Sequence, residues 1–297
     1  MTTTTTRPSG LRLWALGARP RTLGAAIAPV LVGTAAATAE AGQILAGRAA
    51  LAALVALALQ IGVNYANDYS DGIRGTDAER VGPLRLTASG LASPRAVRRA
   101  ALGAFAVAAL SGLVLSIIAN PWLLVVGAAA LAAAALYTGG PKPYGYLGLG
   151  ELMVLVFFGF VATAGSAYVQ LGRVPPSAWY ASLAVGALAC ALLVVNNVRD
   201  RVTDRAAGKR TLAVRVGDRT GRRLYTACLV ASFVGVAGIT TIHPWAALGF
   251  LAAPFAWRPA RVVLTGADGP ALIPVLVATV RLELLVATLV ALGLWIS

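Results

Sequence analysis

The sequence predicts an all-α integral membrane protein, and three observations support that prediction. Hydrophobic residues make up 58% of the 297 residues, charged residues make up only 12%, and the mean hydropathy is +0.77. Soluble domains contain roughly 45–50% apolar and about 25% charged residues. The apolar residues also form unbroken runs, without the alternation expected of the strands of a membrane β-barrel, so the spans are predicted to be helices.

Nine apolar runs predict membrane-spanning helices. In chain order they cover residues 23–39, 49–66, 100–118, 121–138, 149–171, 178–197, 224–241, 244–257 and 272–296. At roughly 20 residues per crossing, these spans and their connections occupy the whole chain. The sequence therefore predicts one membrane domain over residues 1–297. Residues 1–22 form a basic tail that lacks the cleavage site of a secretory signal peptide.

The basic residues are unevenly distributed between the two predicted sides of the membrane. The formal net charge is +14, and 22 of the 25 Lys and Arg residues lie in the tail and in the connections 67–99, 139–148, 198–223 and 258–271. Basic residues collect in cytoplasmic loops, so these segments are predicted to be cytoplasmic and the C-terminus to lie outside the cell membrane. The same rule, together with contact to lipid headgroups, accounts for the positive net charge, so the sequence does not predict binding to nucleic acid.

Two of the cytoplasmic connections hold seven of the eleven acidic residues. They open with the same spacing, Asn67-x-x-x-Asp71 and Asn196-x-x-x-Asp200, at the ends of the second and sixth predicted spans. Polar motifs at matching positions predict an internal repeat of four spans with a site between its halves, as occurs in transporters.

The polar residues of both stretches favour a magnesium site. In the first stretch they recur at helical spacing before Gly72 and Gly75, and they are Asn64, Asn67, Asp68 and Asp71. The second stretch has the spacing i, i+3 and i+7, with Asn197, Asp200 and Asp204. Carboxylates so close together repel each other unless a cation lies among them, and hard oxygen ligands suit Mg²⁺. The alternative is that both stretches are solvated charged connections.

Basic residues are interleaved with these acids, which points to a diphosphate rather than a bare cation as the ligand. The candidates for binding it are Arg74, Lys209 and Arg210 beside the acidic stretches, and Lys142 in the Gly-, Pro- and Tyr-rich connection 137–151. For Lys142 taken alone, a lysine that reaches the membrane interface is an equally good reading.

These blocks together resemble the UbiA superfamily of intramembrane aromatic prenyltransferases. Asn67-Asp68-x-x-Asp71 matches the start of that family's Asn-Asp-x-x-Asp-x-x-x-Asp motif, and Asp200-x-x-x-Asp204 matches its second motif. More specifically, Arg19-Pro-Arg-Thr-Leu, Arg80-Val-Gly-Pro, Tyr137-Thr-Gly-Gly-Pro and Gly208-Lys-Arg-Thr-Leu-Ala-Val-Arg are similar to the branch that makes menaquinone. The last Asp of the first motif would fall on Gly75, and Asp77 stands two residues further on.

The resemblance implies about nine helices around a central cavity, with the two Asp-rich loops on the cytoplasmic side. It implies a Mg²⁺-dependent transfer of a polyprenyl group from polyprenyl diphosphate to 1,4-dihydroxy-2-naphthoate, with loss of diphosphate and CO₂. The implied metal ligands are Asp68, Asp71, Asp77, Asp200 and Asp204. The implied diphosphate ligands are Asn64, Asn67, Arg74, Lys142, Asn197, Lys209 and Arg210.

Three alternatives remain at this stage. One is a member of the same superfamily that uses another aromatic acceptor. Another is an ion-coupled transporter, whose carboxylates would lie near the middle of the membrane rather than at one interface. The third is a CDP-alcohol phosphotransferase, whose Asp-Gly-x-x-Ala-Arg signature is missing, because Asp71-Gly-Ile-Arg lacks the Ala-Arg pair.

Overall fold

A computed structural model describes residues 10–76 and 84–297, and every regular element within those ranges is helical. The all-α fold class is therefore confirmed. Asp77, a predicted metal ligand, lies outside the described residues.

The α-helices of the described ranges are α1 (Gly10–Gly17), α2 (Gly24–Ala41), α3 (Ala46–Arg74), α4 (Pro94–Ile118), α5 (Leu123–Leu136), α6 (Gly150–Val154), α7 (Ala162–Leu171), α8 (Pro176–Ala206), α9 (Leu212–Val216), α10 (Asp218–Thr240), α11 (Ala253–Leu264) and α12 (Ile273–Ile296). A π-helical segment, Leu155–Val161, joins α6 and α7 into one continuous helix. Short 3₁₀ segments cover Pro20–Thr22, Tyr144–Leu147, Pro244–Ala252 and Gly269–Leu272.

Within the described ranges, seven helical segments are long and apolar enough to cross a membrane, so the predicted count of nine is not confirmed. They are Gly24–Ala41, Ala46–Arg74, Pro94–Ile118, Gly150–Leu171, Pro176–Ala206, Asp218–Thr240 and Gly269–Ile296. The predicted span 121–138 contains only the 14 residues of α5, which extend about 21 Å against a hydrocarbon core of about 30 Å. The predicted span 244–257 is divided between a 3₁₀ segment and α11, because prolines interrupt it.

The core is built mainly from small residues, which lets the helices approach closely. Helix α8 is the most enclosed of the seven spans and packs against α2, α10, α12 and the π-helical segment. Gly186 of α8 faces Gly159 of the π-helical segment, and a Cβ at Gly186 would lie 2.5 Å from the Cα of Gly159. Glycine is required here because the two backbones meet.

The N-terminal tail is partly structured, in contrast to the plain basic tail expected over residues 1–22. Helix α1 packs on α3 through the buried Leu13 and through an edge-to-face contact between Trp14 and Tyr65. The Tyr65 hydroxyl donates a hydrogen bond of 2.6 Å to the Trp14 carbonyl. The chain therefore approaches the first span along the end of α3, close to the acidic stretch.

Helices α3 and α8 are the longest, with 29 and 31 residues. At 1.5 Å per residue each extends about 45 Å, which exceeds the hydrocarbon thickness by several turns. Their C-terminal turns, which carry the acidic stretches, therefore lie beyond the apolar part of the bundle. At the opposite end, Arg48 at the start of α3 donates to the carbonyls of Val169 (2.8 Å) and Ile118 (2.6 Å). The protein is a multi-pass membrane protein.

Candidate active site

The two acidic stretches meet in one polar cleft of about 70 Å³ at the C-terminal ends of α3 and α8. We call it the carboxylate cleft. Its polar lining residues are Arg19, Asn67, Asp71, Arg85, Tyr137, Thr138, Tyr146, Asn196, Asn197, Asp200, Asp204, Lys209 and Thr211. They come from the chain before α2, from α3, from the connection between α3 and α4, from the connection after α5, and from α8 and the residues that follow it.

Asp71 lies at the centre of these contacts and is 3% exposed. Its Oδ2 lies 3.3 Å from Lys209 Nζ and 3.5 Å from Arg85 Nη2. Its Oδ1 accepts a hydrogen bond of 2.5 Å from the hydroxyl of Tyr146. One carboxylate thus joins α3 to three other segments of the chain, the loop after α8 among them.

Tyr146 connects the loop after α5 to both acidic stretches. Burial raises the pKa of its phenol, and the negative charge of Asp71 raises the pKa further. The phenol therefore stays protonated and donates to Asp71 at neutral pH. The Lys209 Nζ lies 4.7 Å from the centre of the Tyr146 ring, within the range of a cation–π contact. The Tyr146 carbonyl also accepts a hydrogen bond of 2.9 Å from the Arg210 N–H.

Asp200 and Asp204 line the cleft from α8. Arg199 forms two parallel hydrogen bonds with Asp200, each 2.7 Å long, so this carboxylate has a neighbouring counter-ion on its own helix. Asp204 Oδ1 lies 3.9 Å from Lys209 Nζ. After α8, Gly208 adopts a left-handed φ of 74°, the usual conformation just past a helix end. This turn brings Lys209 back toward the cleft.

Two asparagines of the predicted site are held by defined hydrogen bonds. The Nδ2 of Asn197 donates to Glu151 Oε1 at 2.9 Å, which leaves Oδ1 as the atom for a cation. The Oδ1 of Asn67 accepts from the Thr138 hydroxyl at 2.7 Å, which leaves Nδ2 as a donor for an anion. Both amides can therefore take part in binding a metal and a phosphate group.

The structure places the other residues of the first stretch away from the cleft. Both carboxylate oxygens of Asp68 accept backbone N–H groups, from Leu86 at 2.7 Å and from Thr87 at 2.8 Å. Asn64 donates to the Ala18 carbonyl at 2.9 Å. The single face expected for the four polar residues is therefore two neighbouring stripes: Asn67 and Asp71 line the cleft, while Asn64 and Asp68 hold the flanking chain.

The four cationic residues predicted to bind diphosphate also differ in whether they line the cleft. Lys209 lines the cleft, whereas Lys142 and Arg210 have exposed side chains outside its lining. Arg74 donates to the carbonyls of Thr138 (2.5 Å) and Gly140 (2.7 Å), so it fastens the loop after α5 to the end of α3.

Two cationic residues of the site, Arg19 and Arg199, were not among the diphosphate candidates from the sequence, whereas Arg85 is one of the basic residues interleaved with the acids there. Arg19 and Arg85 line the cleft, and Arg199 holds Asp200. Arg19 adopts a left-handed backbone conformation, with φ 55°, which is uncommon for a residue with a side chain. Such strain is retained where a side chain has to be held in one place. The Arg19-Pro-Arg block in the sequence was the available signal, because it stands just before the first span.

The oxygen donors of the cleft fit Mg²⁺. Among the described residues no three His, Cys, Asp or Glu side chains converge as a complete metal site. Mg²⁺ does not need one, because it usually keeps several waters and binds one or two carboxylates together with phosphate oxygens. Asp71, Asp200, Asp204 and Asn197 Oδ1 line the cleft as oxygen donors, of which one or two carboxylates could bind an ion together with a phosphate group, and cations for the phosphate lie beside them.

Comparison with known proteins decides the family. The model of the UbiA prenyltransferase family matches residues 26–272. The chain belongs to this family. It is 54% identical over 263 residues to a 1,4-dihydroxy-2-naphthoate octaprenyltransferase of Mycobacterium tuberculosis, covering 89% of the chain and 90% of that protein. It is 39% identical to the Escherichia coli protein of the same name, covering 97% of each.

A solved structure shares the UbiA fold with this chain. The UbiA homologue from Archaeoglobus fulgidus, bound to GPP and Mg²⁺, superposes with a TM-score of 0.64 at 16% identity and covers 94% of this chain and 97% of that one. At this identity the likeness shows the fold alone. The predicted relationship to the UbiA superfamily is confirmed by both the family match and the fold.

Proposed function

We propose that this UbiA-family chain transfers a polyprenyl group from polyprenyl diphosphate to 1,4-dihydroxy-2-naphthoate. Diphosphate and CO₂ leave, and the product is the reduced, quinol form of demethylmenaquinone, since the transfer itself changes no oxidation state. The observation that carries this proposal is the carboxylate cleft, where acids and cations of both motifs meet at one end of an apolar bundle. The names of the 54% and 39% identical relatives support the same reaction.

Within the cleft we assign the metal to Asp71, Asp200 and Asp204, and the diphosphate to Arg19, Arg85 and Lys209. When bound, Mg²⁺ neutralises the negative charge that builds on the diphosphate as the allylic C–O bond breaks. The Archaeoglobus fulgidus homologue is bound to GPP and Mg²⁺, which supports these two classes of ligand. Asn67 Nδ2 and the three cations are preorganised donors for the same charge, which grows in the transition state.

The reaction asks little else of the protein. The electron-rich naphthoate ring attacks the allylic carbon, so the chain supplies no nucleophile. Binding and orienting the two substrates are its main tasks. The apolar helices keep water away from the allylic carbon. Water would otherwise attack that carbon, and the prenyl diphosphate would be hydrolysed.

Two residues of the predicted site take positioning roles in this proposal. Asp68 anchors the chain at Leu86 and Thr87, next to Arg85, and so holds that guanidinium near Asp71. Arg74 holds the loop that supplies Tyr146.

We also propose the membrane arrangement. A single domain over residues 1–297 lies in the cell membrane with its N-terminus and the carboxylate cleft on the cytoplasmic side and its C-terminus outside. The excess of basic residues near the cleft supports this orientation. The polyprenyl substrate enters from the lipid, and the cleft faces the compartment in which diphosphate is released.

The test is an assay with the full-length protein in proteoliposomes. 1,4-Dihydroxy-2-naphthoate and a radiolabelled polyprenyl diphosphate are supplied with Mg²⁺, and a labelled, decarboxylated naphthoquinol is expected, which air oxidises to the quinone on extraction. 4-Hydroxybenzoate serves as the competing aromatic acceptor. Product from 4-hydroxybenzoate alone would leave the UbiA reaction in place and overturn the naphthoate assignment. No prenylated product from either acceptor would overturn the proposed reaction.

A further inference from the structure

The chain has two lysines, and their surroundings differ sharply. Lys142 is exposed, whereas Lys209 is 7% exposed and lies between the two acidic stretches. Its Nζ is 3.3 Å from Asp71 Oδ2 on α3 and 3.9 Å from Asp204 Oδ1 on α8. A buried ammonium is costly unless carboxylates compensate for its lost hydration. Lys209 therefore acts as a cation shared by both stretches.

Asp71 has little remaining capacity for another cation. Its Oδ1 accepts the Tyr146 hydroxyl, and its Oδ2 faces both Lys209 and Arg85. A divalent ion that approaches Asp71 Oδ2 meets two positive groups, so it has to displace one of them.

We infer that Lys209 and the divalent metal compete for Asp71, and that diphosphate relieves this competition by giving the Lys209 ammonium another anionic partner. The inference rests on the proposed function, because it takes Mg²⁺ and diphosphate as the ligands of this cleft. Lys209 rather than Arg85 is the group that moves. The Lys209 backbone N–H donates to the Asp204 carbonyl, but its ammonium lies at the end of a flexible four-carbon stem. The chain beside Arg85 is fastened by the hydrogen bonds of Leu86 and Thr87 to Asp68.

The consequence is a coupling between the two ligands. Metal alone binds weakly because it must separate Lys209 from Asp71. Diphosphate strengthens metal binding, and by reciprocity the metal strengthens diphosphate binding by the same factor. A prenyl diphosphate therefore assembles its own metal site on arrival, and the metal is released readily once the diphosphate has gone.

The first test uses the native protein and an amine-acylating reagent, with mass spectrometry to quantify each lysine. Mg²⁺ alone is expected to increase modification of Lys209 severalfold, because it frees the ammonium from Asp71. Addition of inorganic diphosphate with Mg²⁺ is expected to suppress the modification again. Lys142 is the internal control and should react equally in all three conditions. Modification of Lys209 that does not respond to Mg²⁺ would overturn the inference.

The second test measures binding of Mn²⁺ alone by electron paramagnetic resonance. Lys209→Met is expected to bind Mn²⁺ about tenfold more tightly than the native protein, a change within the usual range for coupled sites. The same variant should bind Mg²⁺ with inorganic diphosphate less tightly. Lys142→Met removes one positive charge of the same kind outside the cleft and should leave Mn²⁺ affinity unchanged.

The outcomes separate this inference from the proposed function. Equal gains in Lys209→Met and Lys142→Met would show a general charge effect and reject direct competition. Unchanged Mn²⁺ affinity in a folded Lys209→Met protein would also reject it, while leaving the prenyl transfer reaction intact. Absence of both metal and diphosphate binding in the native protein would instead count against the proposed function itself.

Discussion

The hydroxyl of Tyr146 donates a 2.5 Å hydrogen bond to Asp71, and this contact joins the loop after α5 to the end of α3. The same ring lies under the Lys209 ammonium. One side chain therefore positions an acid of the first stretch and the cation that follows the second. Aromatic residues of this loop are thus part of the carboxylate cleft rather than of the lipid-facing surface.

Tyr146→Phe is expected to lower turnover about tenfold. The substitution removes a hydrogen bond to a charged group, worth roughly 1.5–3 kcal/mol, while the ring stays beneath Lys209. Initial rates at saturating substrates measure the effect. Tyr180→Phe, a half-exposed tyrosine of α8 distant in sequence from both stretches, serves as the matched control. A native rate in Tyr146→Phe would contradict the positioning role of the hydroxyl.

Asp71→Asn and Asp200→Asn are each expected to reduce turnover a thousandfold or more, with the protein still folded. Asn keeps the shape of the side chain and removes the charge that holds the metal. A thousandfold loss corresponds to about 4 kcal/mol of transition-state stabilisation. Glu40→Gln is the control, because Glu40 pairs with Arg173 at the opposite end of the bundle. Removal of metal with EDTA should abolish the native activity, and Mg²⁺ should restore it. More than a tenth of native activity in either Asp variant would exclude that residue as a metal ligand.

The two lysines are expected to differ in their effect on activity. Lys209→Ala should lower kcat strongly, because a buried cation beside the leaving group is lost. Lys142→Ala should have the smaller effect, because its side chain is exposed. Lys209→Arg should rescue only in part, since a guanidinium has a different geometry. Steady-state kinetics of the three variants measure this order, and a larger loss in Lys142→Ala would reverse the assignment.

Asp68→Asn and Asp71→Asn are expected to impair different properties of the protein, stability in the first variant and activity in the second. Asp68→Asn loses one of two backbone hydrogen bonds and turns an amide donor toward N–H groups, which costs roughly 1–3 kcal/mol of stability. Its melting temperature in detergent should fall, and proteolysis near residues 84–92 should increase. Asp71→Asn should lose activity without this increase in proteolysis, because both hydrogen bonds to Asp68 stay in place. A native melting temperature in Asp68→Asn would show that these hydrogen bonds do not hold the segment.

The proposed orientation predicts which introduced cysteines react with an impermeant thiol reagent in intact cells. In a protein with Cys190 and Cys228 replaced by alanine, Ser89→Cys and Ala207→Cys should react only after the membrane is opened. Ser297→Cys should react from outside. Labelling of Ala207→Cys in intact cells would reverse the orientation.

The sequence was sufficient to predict the fold class, the family and the meeting of the two acidic stretches, because hydropathy and motif spacing are local properties. The assignment of individual side chains within the first stretch was less successful. Residues three and four positions apart share a broad helix face, and spacing alone does not separate Asp68 from Asp71. Their separation depends on the return of the chain at Leu86 and Thr87, which is a tertiary contact.

The cationic residues of the site also show that sequence spacing alone does not predict every residue of the cleft. Lys209 was predicted because it follows the second stretch directly. Arg85 is fourteen residues beyond Asp71, and Arg19 precedes the first span, so only folding brings both to the cleft. The predicted number of spans is not confirmed, for another reason. Composition does not reveal that prolines divide the segment after His243, or that α5 is too short.

The left-handed backbone of Arg19 has a conformational cost at a residue that lines the active site. A residue with a Cβ in this region costs roughly 1–2 kcal/mol, and glycine does not pay that cost. Arg19→Gly should therefore relieve the backbone strain, but it also removes the contacts of the Arg19 side chain and one cation of the active site. A screen for thermal stability in detergent would register only the sum of the first two effects, and it would not register the loss of catalysis.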